Sequence, residues 1–301
     1  MPAADRVLDF SQTPAFLSVR NEQLVIESKT NPSITVPIAE IAVVLLSGPA
    51  VTLTQPVLAK LLAANAGVVI GGENYQPAGM LLPISANTLS TQRLLDQIDM
   101  SEPRRKRLWQ SVVMSKILAQ ACALEEREID PAPVRSLAAR VRSGDPDNVE
   151  ATAAQRYWPL LFGPEFRRRT DAQNCNRLLN YGYAVLRASV ARSVCGAGLH
   201  PSLGIHHRSR GNPFCLADDL MEPYRPLVDA EVRNIVGEWG DDVGFIPGIK
   251  QRLVESAQPR IEHNGEWRNA LEWFDRTAQS LLDQTQSRVF YPDGILRTVD
   301  A

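Results

Sequence analysis

Up to about residue 85 the apolar positions fall in short, β-branched runs: Leu24-Val25-Ile26, Ile34-Thr35-Val36, Ala42-Val43-Val44-Leu45-Leu46, Val68-Val69-Ile70 and Met80-Leu81-Leu82. Runs of this kind, punctuated by Asn31-Pro32 and Gly48-Pro49, predict strands joined by turns. One interval differs. Residues 55–66 repeat at helical spacing, with Pro56 suited to a first turn and Gly67 to a C-terminal cap. From about Thr88 the period changes. Leu108, Val112, Ile117, Ala121 and Leu124 recur close to the helical period and predict a helix over 104–127, ended before Pro131 and Pro133. Further helices are expected over 134–142, 147–162 and 171–195, with Gly144-Asp145-Pro146 as a stop. Residues 196–212 form a Gly/Pro/Ser-rich loop, after which Asn212 can cap a helix reopened by Pro213. Trp267 and Trp273, at helical spacing, suggest packing in the last 60 or so residues. The fold class is α+β: a small β-rich N-terminal domain, residues 1–86, followed by a mostly α-helical domain, residues 87–301.

Composition narrows the function. The 301 residues are 44% hydrophobic and 22% charged, which is globular and not disordered. A net charge of −2 excludes a uniformly basic coat for nucleic acid but not a basic patch. No apolar run reaches membrane-span length, and residues 1–10 lack a signal-peptide pattern. Cys122, Cys175, Cys195 and Cys215 are too scattered for a disulfide framework, and without a C-x-x-C pair they argue against a zinc ribbon. A soluble cytoplasmic protein is expected. The charge is uneven, however: residues 151–212 carry nine basic and two acidic groups, and residues 213–301 carry nine basic and sixteen acidic. Either the two stretches neutralise each other across a helical bundle, or a basic groove for a polyanion lies beside an acidic cluster that holds a cation.

The candidate chemistry lies in three separated segments. Asp219 and Glu222 share one helix face, and Asp218 can also approach Glu222. Like charges so placed need a counter-cation, which Arg225 or a bound ion could supply; the alternative is that the acids stand there because the helix dipole favours them. Pro223 and Pro226 predict a kink at these carboxylates. His206-His207 stands upstream, followed at once by Arg208 and Arg210. An imidazole suits Mn, Zn or Fe, but a loop histidine is more often a packing or surface residue. Glu150 fits a capping box opened by Asp147, a purely structural role. Two dense basic runs, 104–107 and 167–169, include Arg104, Arg105, Arg107, Arg167 and Arg168. The first opens a helix, where cations oppose the dipole unless anions are near. Arg177, Arg187 and Arg192 lie among Asn176, Asn180, Tyr181 and Tyr183, a mixture that suits either DNA-backbone contact or helix packing.

Taken together, Gly204-Ile205-His206-His207, Asn212-Pro213-Phe214, the run Leu216 to Pro226 (LADDLMEPYRP) and Asp229 closely resemble the motif of the CRISPR adaptation integrase, the larger, metal-dependent nuclease of spacer acquisition in antiviral defence. Asn180-Tyr181-Gly182-Tyr183-Ala184-Val185-Leu186 is similar to another helix of that family, and Val149-Glu150-Ala151 with Ala154 and Tyr157-Trp158 looks like its glutamate helix. The order is kept over roughly residues 20–240, in the type II-like form. The resemblance implies that Glu150, His207 and Glu222 bind a divalent ion, Mg²⁺ or Mn²⁺, with Asp219 assisting. His207 stands in for the family's ligand because it is third after Gly204. It further implies a DNA endonuclease and integrase: a protospacer 3′-OH attacks the repeat backbone, or water does so in cutting, with no protein nucleophile. The implied partners are double-stranded DNA (protospacer and CRISPR repeat), a second copy in a homodimer, the small second adaptation protein in a heterohexamer and, in type II systems, the effector nuclease. No membrane is involved. Arg104, Arg105, Arg107, Arg167, Arg168, Arg177, Arg208 and Arg210 are then the expected phosphate contacts. Two rivals remain: a non-catalytic DNA-binding scaffold, and a metal-dependent hydrolase of a small substrate.

Overall fold

The computed structural model describes residues 6–299 apart from 11–13, 30, 47, 49, 72–76, 86 and 173. Pro49 of the turn at Gly48-Pro49 and residue 86 at the domain boundary lie outside the described residues. The N-terminal part holds β1 (Arg6–Asp9), β2 (Ala15–Arg20), β3 (Gln23–Glu27), β4 (Ile34–Pro37), β5 (Ile41–Leu46), β6 (Val51–Leu53), α1 (Gln55–Ala63), β7 (Gly67–Gly71) and β8 (Pro77–Leu81). They form two four-stranded sheets, ordered β1-β5-β7-β8 and β4-β3-β2-β6. Strands β1, β5 and β7 run parallel, β8 pairs antiparallel with β7, and β2 is antiparallel to β3 but parallel to β6. Leu17, Leu24, Ile41, Val44, Val57, Leu61 and Val68 close a small core between the sheets and α1.

Helix α1 ends three residues before the expected point. Asn65 takes a left-handed φ of 64°, and Gly67 begins β7 instead of capping the helix. Asparagine tolerates that conformation because its short polar side chain bonds locally.

The remainder is mainly helical: α2 (Ser90–Ile98), α3 (Glu102–Glu125), α4 (Ala132–Arg135), α5 (Val149–Phe162), α6 (Asn176–Gly196), α7 (Cys215–Met221), α8 (Arg225–Trp239), α9 (Pro247–Ser256) and α10 (Ala270–Ser280). Strands β9 (Arg260–His263), β10 (Glu266–Asn269) and β11 (Gly294–Val299) add a three-stranded antiparallel sheet. The helix expected over 134–142 is α4 plus a separate 3₁₀ turn, Ala138–Arg140. The one expected from 171 starts at Asn176. Trp273 is buried on α10, but Trp267 lies part-exposed on β10, so the two do not share a helix.

Helix α6 is the axis of the molecule. It packs on α7, α8, α9, α10 and on β5 and β7. Leu178, Leu179, Leu186, Ala191 and Val194 are fully buried, as are Asn176 and Arg192 among its polar residues. Of its Arg/Asn/Tyr mixture, Asn176, Arg192, Tyr181 and Tyr183 are taken into the packing. Strand β5 is buried on both faces, with Val44 in the small core and Val43 and Leu45 in the helical one. Among the described residues no helix is long and apolar enough to cross a membrane, and all four cysteines are free thiols.

Candidate active site

Helix α3 is the platform. Trp109 and Lys116 are seven residues apart, two helical turns, and lie on one face. Buried Trp109 stacks flat on the His206 ring, with centroids 4.2 Å apart and planes 7° apart, and meets the His207 ring edge-on at 5.6 Å. His207 Nδ1 lies 2.5 Å from Asp219 Oδ1. Asp219 is wholly buried and also accepts the backbone N–H of His206 at 2.8 Å and that of His207 at 3.4 Å. One carboxylate thus holds both the loop and the ring. The bend needs Gly204: a Cβ there would stand 2.4 Å from the His207 carbonyl oxygen and 2.9 Å from Asp219 Oδ2. The Asp219 hydrogen bond, outweighing burial and aided by the charges of Asp219, Glu222 and Glu150, raises the His207 pKa.

The capping box does not form. Asp145 Oδ1 accepts Val149 N–H at 2.9 Å and Oδ2 accepts Glu150 N–H at 3.0 Å. Asn148 enters the helix with φ 51°, a left-handed turn that lets Asp145 reach over it. With its helix start capped by another residue, Glu150 turns its carboxylate to α3, where Oε1 lies 2.6 Å from Lys116 Nζ.

Glu222 completes the group. Pro223 lacks an N–H and its ring crowds the carbonyl of Asp219, so the chain breaks into α7, a 3₁₀ turn over Glu222–Tyr224, and α8, with Pro226 in its first turn. The expected kink is present. It points Glu222 at α3, with Oε2 2.6 Å from the same Lys116 Nζ and Oε1 accepting from Arg225 Nε at 2.9 Å. Burial pushes the Glu222 pKa up, but Arg225 and Lys116 outweigh it and hold the value at about 2. Lys116 answers in kind: burial lowers its pKa, and Glu222 and Glu150 more than restore it.

Behind Glu222, the Arg225 guanidinium lies over the Tyr183 ring at 4.5 Å, and Arg168 lies 5.4 Å from the same ring. The Tyr183 and Tyr157 hydroxyls both donate to buried Asp229. Asp218 does not face Glu222. It takes Arg187 Nε at 2.6 Å and Asn212 Nδ2 at 2.7 Å. Asn212 also accepts from Phe214 N–H at 2.9 Å, which makes a turn instead of the expected cap, and α7 starts at Cys215.

The structure therefore gathers Glu150, Glu222, His207 and Asp219 around one face of α3. Two carboxylates with an imidazole suit Mg²⁺ or Mn²⁺. Among the described residues, no three His, Cys, Asp or Glu side chains are assembled to hold an ion as they stand. The cause is visible: an ammonium occupies the carboxylates, and Asp219 holds the histidine. The acid pair already binds a positive charge, so the donor set fits a cation.

The eight arginines expected on DNA differ in availability. Arg104 donates to the carbonyls of Leu281 and Asp283 at 3.0 and 2.9 Å, and Arg105 to that of Ile98 at 3.1 Å. Arg167 donates to the carbonyls of Pro164 and Phe166, and Arg168 to Asn176 and Asn180. Arg177 ties down the carbonyls of Asp242 and Val243. Arg107, Arg208 and Arg210 are solvent-exposed. Arg208 acts electrostatically on Glu102, so the start of α3 and the histidine loop share a surface. The uneven charge is partly self-neutralised: Arg177–Asp242, Arg187–Asp218 and Arg192–Asp275 link the basic stretch to the acidic one.

Sequence reasoning missed Lys116, Trp109 and Asp145. Lys116 did leave a signal, since it is the one charged residue between Arg107 and Glu125, in a helix that buries most of that stretch.

The sequence model of the family described as CRISPR associated protein Cas1 matches residues 10–239. A CRISPR-associated endonuclease Cas1 from Neisseria meningitidis serogroup C (strain 8013) is 39% identical over 266 residues, 88% of this chain and 87% of that one. Among solved structures, a casposase bound to integration product superposes with a TM-score of 0.77 at 20% identity, covering 98% of this chain and 96% of the other. A Cas1 protein from Thermotoga maritima gives 0.66 at 15% identity, covering 84% and 88%. A Cas6-RT-Cas1–Cas2 complex gives 0.71 at 19%, covering 96% of this chain and 36% of that one. These three likenesses establish the fold.

Proposed function

Because the chain belongs to the Cas1 family of CRISPR-associated proteins, we propose that it is a divalent-metal-dependent DNA endonuclease and integrase that joins a protospacer 3′-OH to a CRISPR repeat. The observation that carries this reading is the cluster on α3: Glu150 and Glu222 sharing one ammonium at 2.6 Å, beside His207 held by Asp219. Glu150, Glu222 and His207 would hold the ion. When bound, it supplies polarisation of the scissile phosphate and activation of the attacking oxygen.

The rest of the work belongs to the chain's own residues. Asp219 accepts a hydrogen bond from His207 Nδ1–H and so leaves the lone pair of the outer ring nitrogen, Nε2, for ligation. Trp109 fixes the loop by stacking on His206, which makes His206 a support and not a ligand. Arg225 keeps Glu222 ionised. The exposed Arg107, Arg208 and Arg210 grip phosphates beside the cluster, giving largely sequence-independent, salt-sensitive binding. With a 3′-OH as attacker the product is an integrated strand, and with water it is a cut one. Homodimerisation, assembly with the small second adaptation protein and cooperation with the type II effector nuclease belong to the same reading.

The test is integration into a supercoiled, repeat-bearing plasmid, with and without EDTA, for the wild type and Glu222→Gln. Strand transfer is expected to vanish with EDTA and to fall by about 10²-fold or more in the variant, while DNA retention in a gel changes little. Unchanged strand transfer in the variant would leave a scaffold, and activity indifferent to competing DNA would leave a small-substrate hydrolase.

A further inference from the structure

We propose that Lys116 is a built-in counter-cation that must leave the Glu150 and Glu222 carboxylates for the divalent ion to take them; this rests on reading those carboxylates as ligands. Its Nζ lies 2.6 Å from an oxygen of each, and its side chain is only 13% exposed. An ammonium at that distance occupies the oxygens an ion needs.

Charge balance makes the exchange necessary. Glu150 and Glu222 are matched one for one by Lys116 and Arg225. Asp218 is matched by Arg187, and Asp219, bonded to a His207 ring that must be neutral to act as a ligand, adds one negative charge. A divalent ion added beside the bound ammonium leaves a net positive charge in a largely buried space, which is costly at low dielectric and which departure of the ammonium cancels.

Of the two cations on Glu222, only one is free to go. Arg225 is pinned by its cation–π contact with Tyr183, whose hydroxyl is anchored on Asp229. Lys116 has a flexible four-carbon stem, and among the described residues its ammonium is held by the two carboxylates. It shares the face of α3 with Trp109, which carries the histidine loop, so a released ammonium stays beside the site where a phosphate oxygen can receive it. The acid pair is thereby compensated before the ion arrives, and ion binding places a new positive charge at the mouth of the site.

The experiment is Mn²⁺ titration of the full chain without DNA, by calorimetry or by the loss of the free-ion electron-spin signal, for the wild type, Lys116→Met and Glu222→Gln. Removing a competitor predicts that Lys116→Met binds Mn²⁺ about tenfold tighter or more. A merely structural lysine predicts equal or weaker binding, and that result overturns the proposal. If Glu222→Gln binds Mn²⁺ as well as the wild type, the ligand reading itself fails and this proposal with it. If Glu222→Gln loses binding but Lys116→Met gains nothing, only this proposal fails. Should Lys116→Met not fold, the wild type decides: acylation of Lys116 by an amine-reactive ester, mapped by mass spectrometry, should rise severalfold at saturating Mn²⁺, and unchanged labelling refutes the exchange.

Discussion

Asp229 shows how far a side chain one layer from the cluster is bent to its needs. Burial pushes its pKa up to about 6, although the Tyr183 and Tyr157 hydrogen bonds and the charges of Arg225 and Arg168 pull the other way. Its folded value lies above its unfolded one. The stability it contributes is therefore complete below pH 3.8 and is lost as pH rises through about 6. In urea denaturation from pH 5 to 7, the stability of the wild type relative to Asp229→Asn should fall by about 1 kcal/mol; a constant difference would contradict the assignment. His207, also raised, is present in both proteins and cancels. Glu222 runs the opposite way. With its pKa held at about 2, its contribution is complete above pH 4.5 and is lost as pH falls from there through about 2, so Glu222 is ionised wherever DNA is handled.

Among the elements, the start of α5 decides where Glu150 points. Asp145 caps the helix by accepting two N–H groups, those of Val149 and Glu150. Asp145→Ala should lower the unfolding free energy by about 1–2 kcal/mol, measured by urea melts. It should also depress strand transfer, because the Glu150 backbone is no longer fixed, and Asp145→Asn, which keeps an acceptor, should lose less on both counts. Activity unaffected by Asp145→Ala would mean that Lys116 alone orients Glu150. The α7–α8 break is the matching device on the other side of the site, where Pro223 forces a turn of 3₁₀ helix just at Glu222.

For the whole molecule, Arg192 ties the two parts together. Buried near the C-terminal end of α6, it donates to the Asn65 carbonyl at 2.9 Å and to Asp275 on α10 at 3.1 Å, and its Cβ packs at the start of β7. Arg192→Leu leaves a buried carbonyl unpaired and a half-buried carboxylate without its partner, and should cost about 2 kcal/mol or more in thermal or urea unfolding. A loss below about 0.5 kcal/mol would show that the sheets are held to the helices by apolar contact alone.

What the chain alone determined was local. Apolar spacing marked the strands near 24–26, 34–36, 42–46, 68–70 and 80–82, and the long helix that became α3, because each element's own period records which side it buries. The string from Gly204 to Pro226 carried the histidine, Asp219 of α7, Glu222 just after it and the proline that bends the chain there, since all of these lie within one loop and the helix that follows it. Packing decided the rest. Asp145 replaced Asp147 as the cap because left-handed Asn148, at the entry to the helix, brings the first N–H groups within its reach. Arg104, Arg168 and Arg177 went to carbonyls and amides of segments that meet them only in the folded state. Lys116 became the hub of the site because α5 and the α7–α8 break converge on it from distant parts of the chain. A residue's type and spacing say what it can bond, but only the meeting of helices fixes which partner stands within 3 Å.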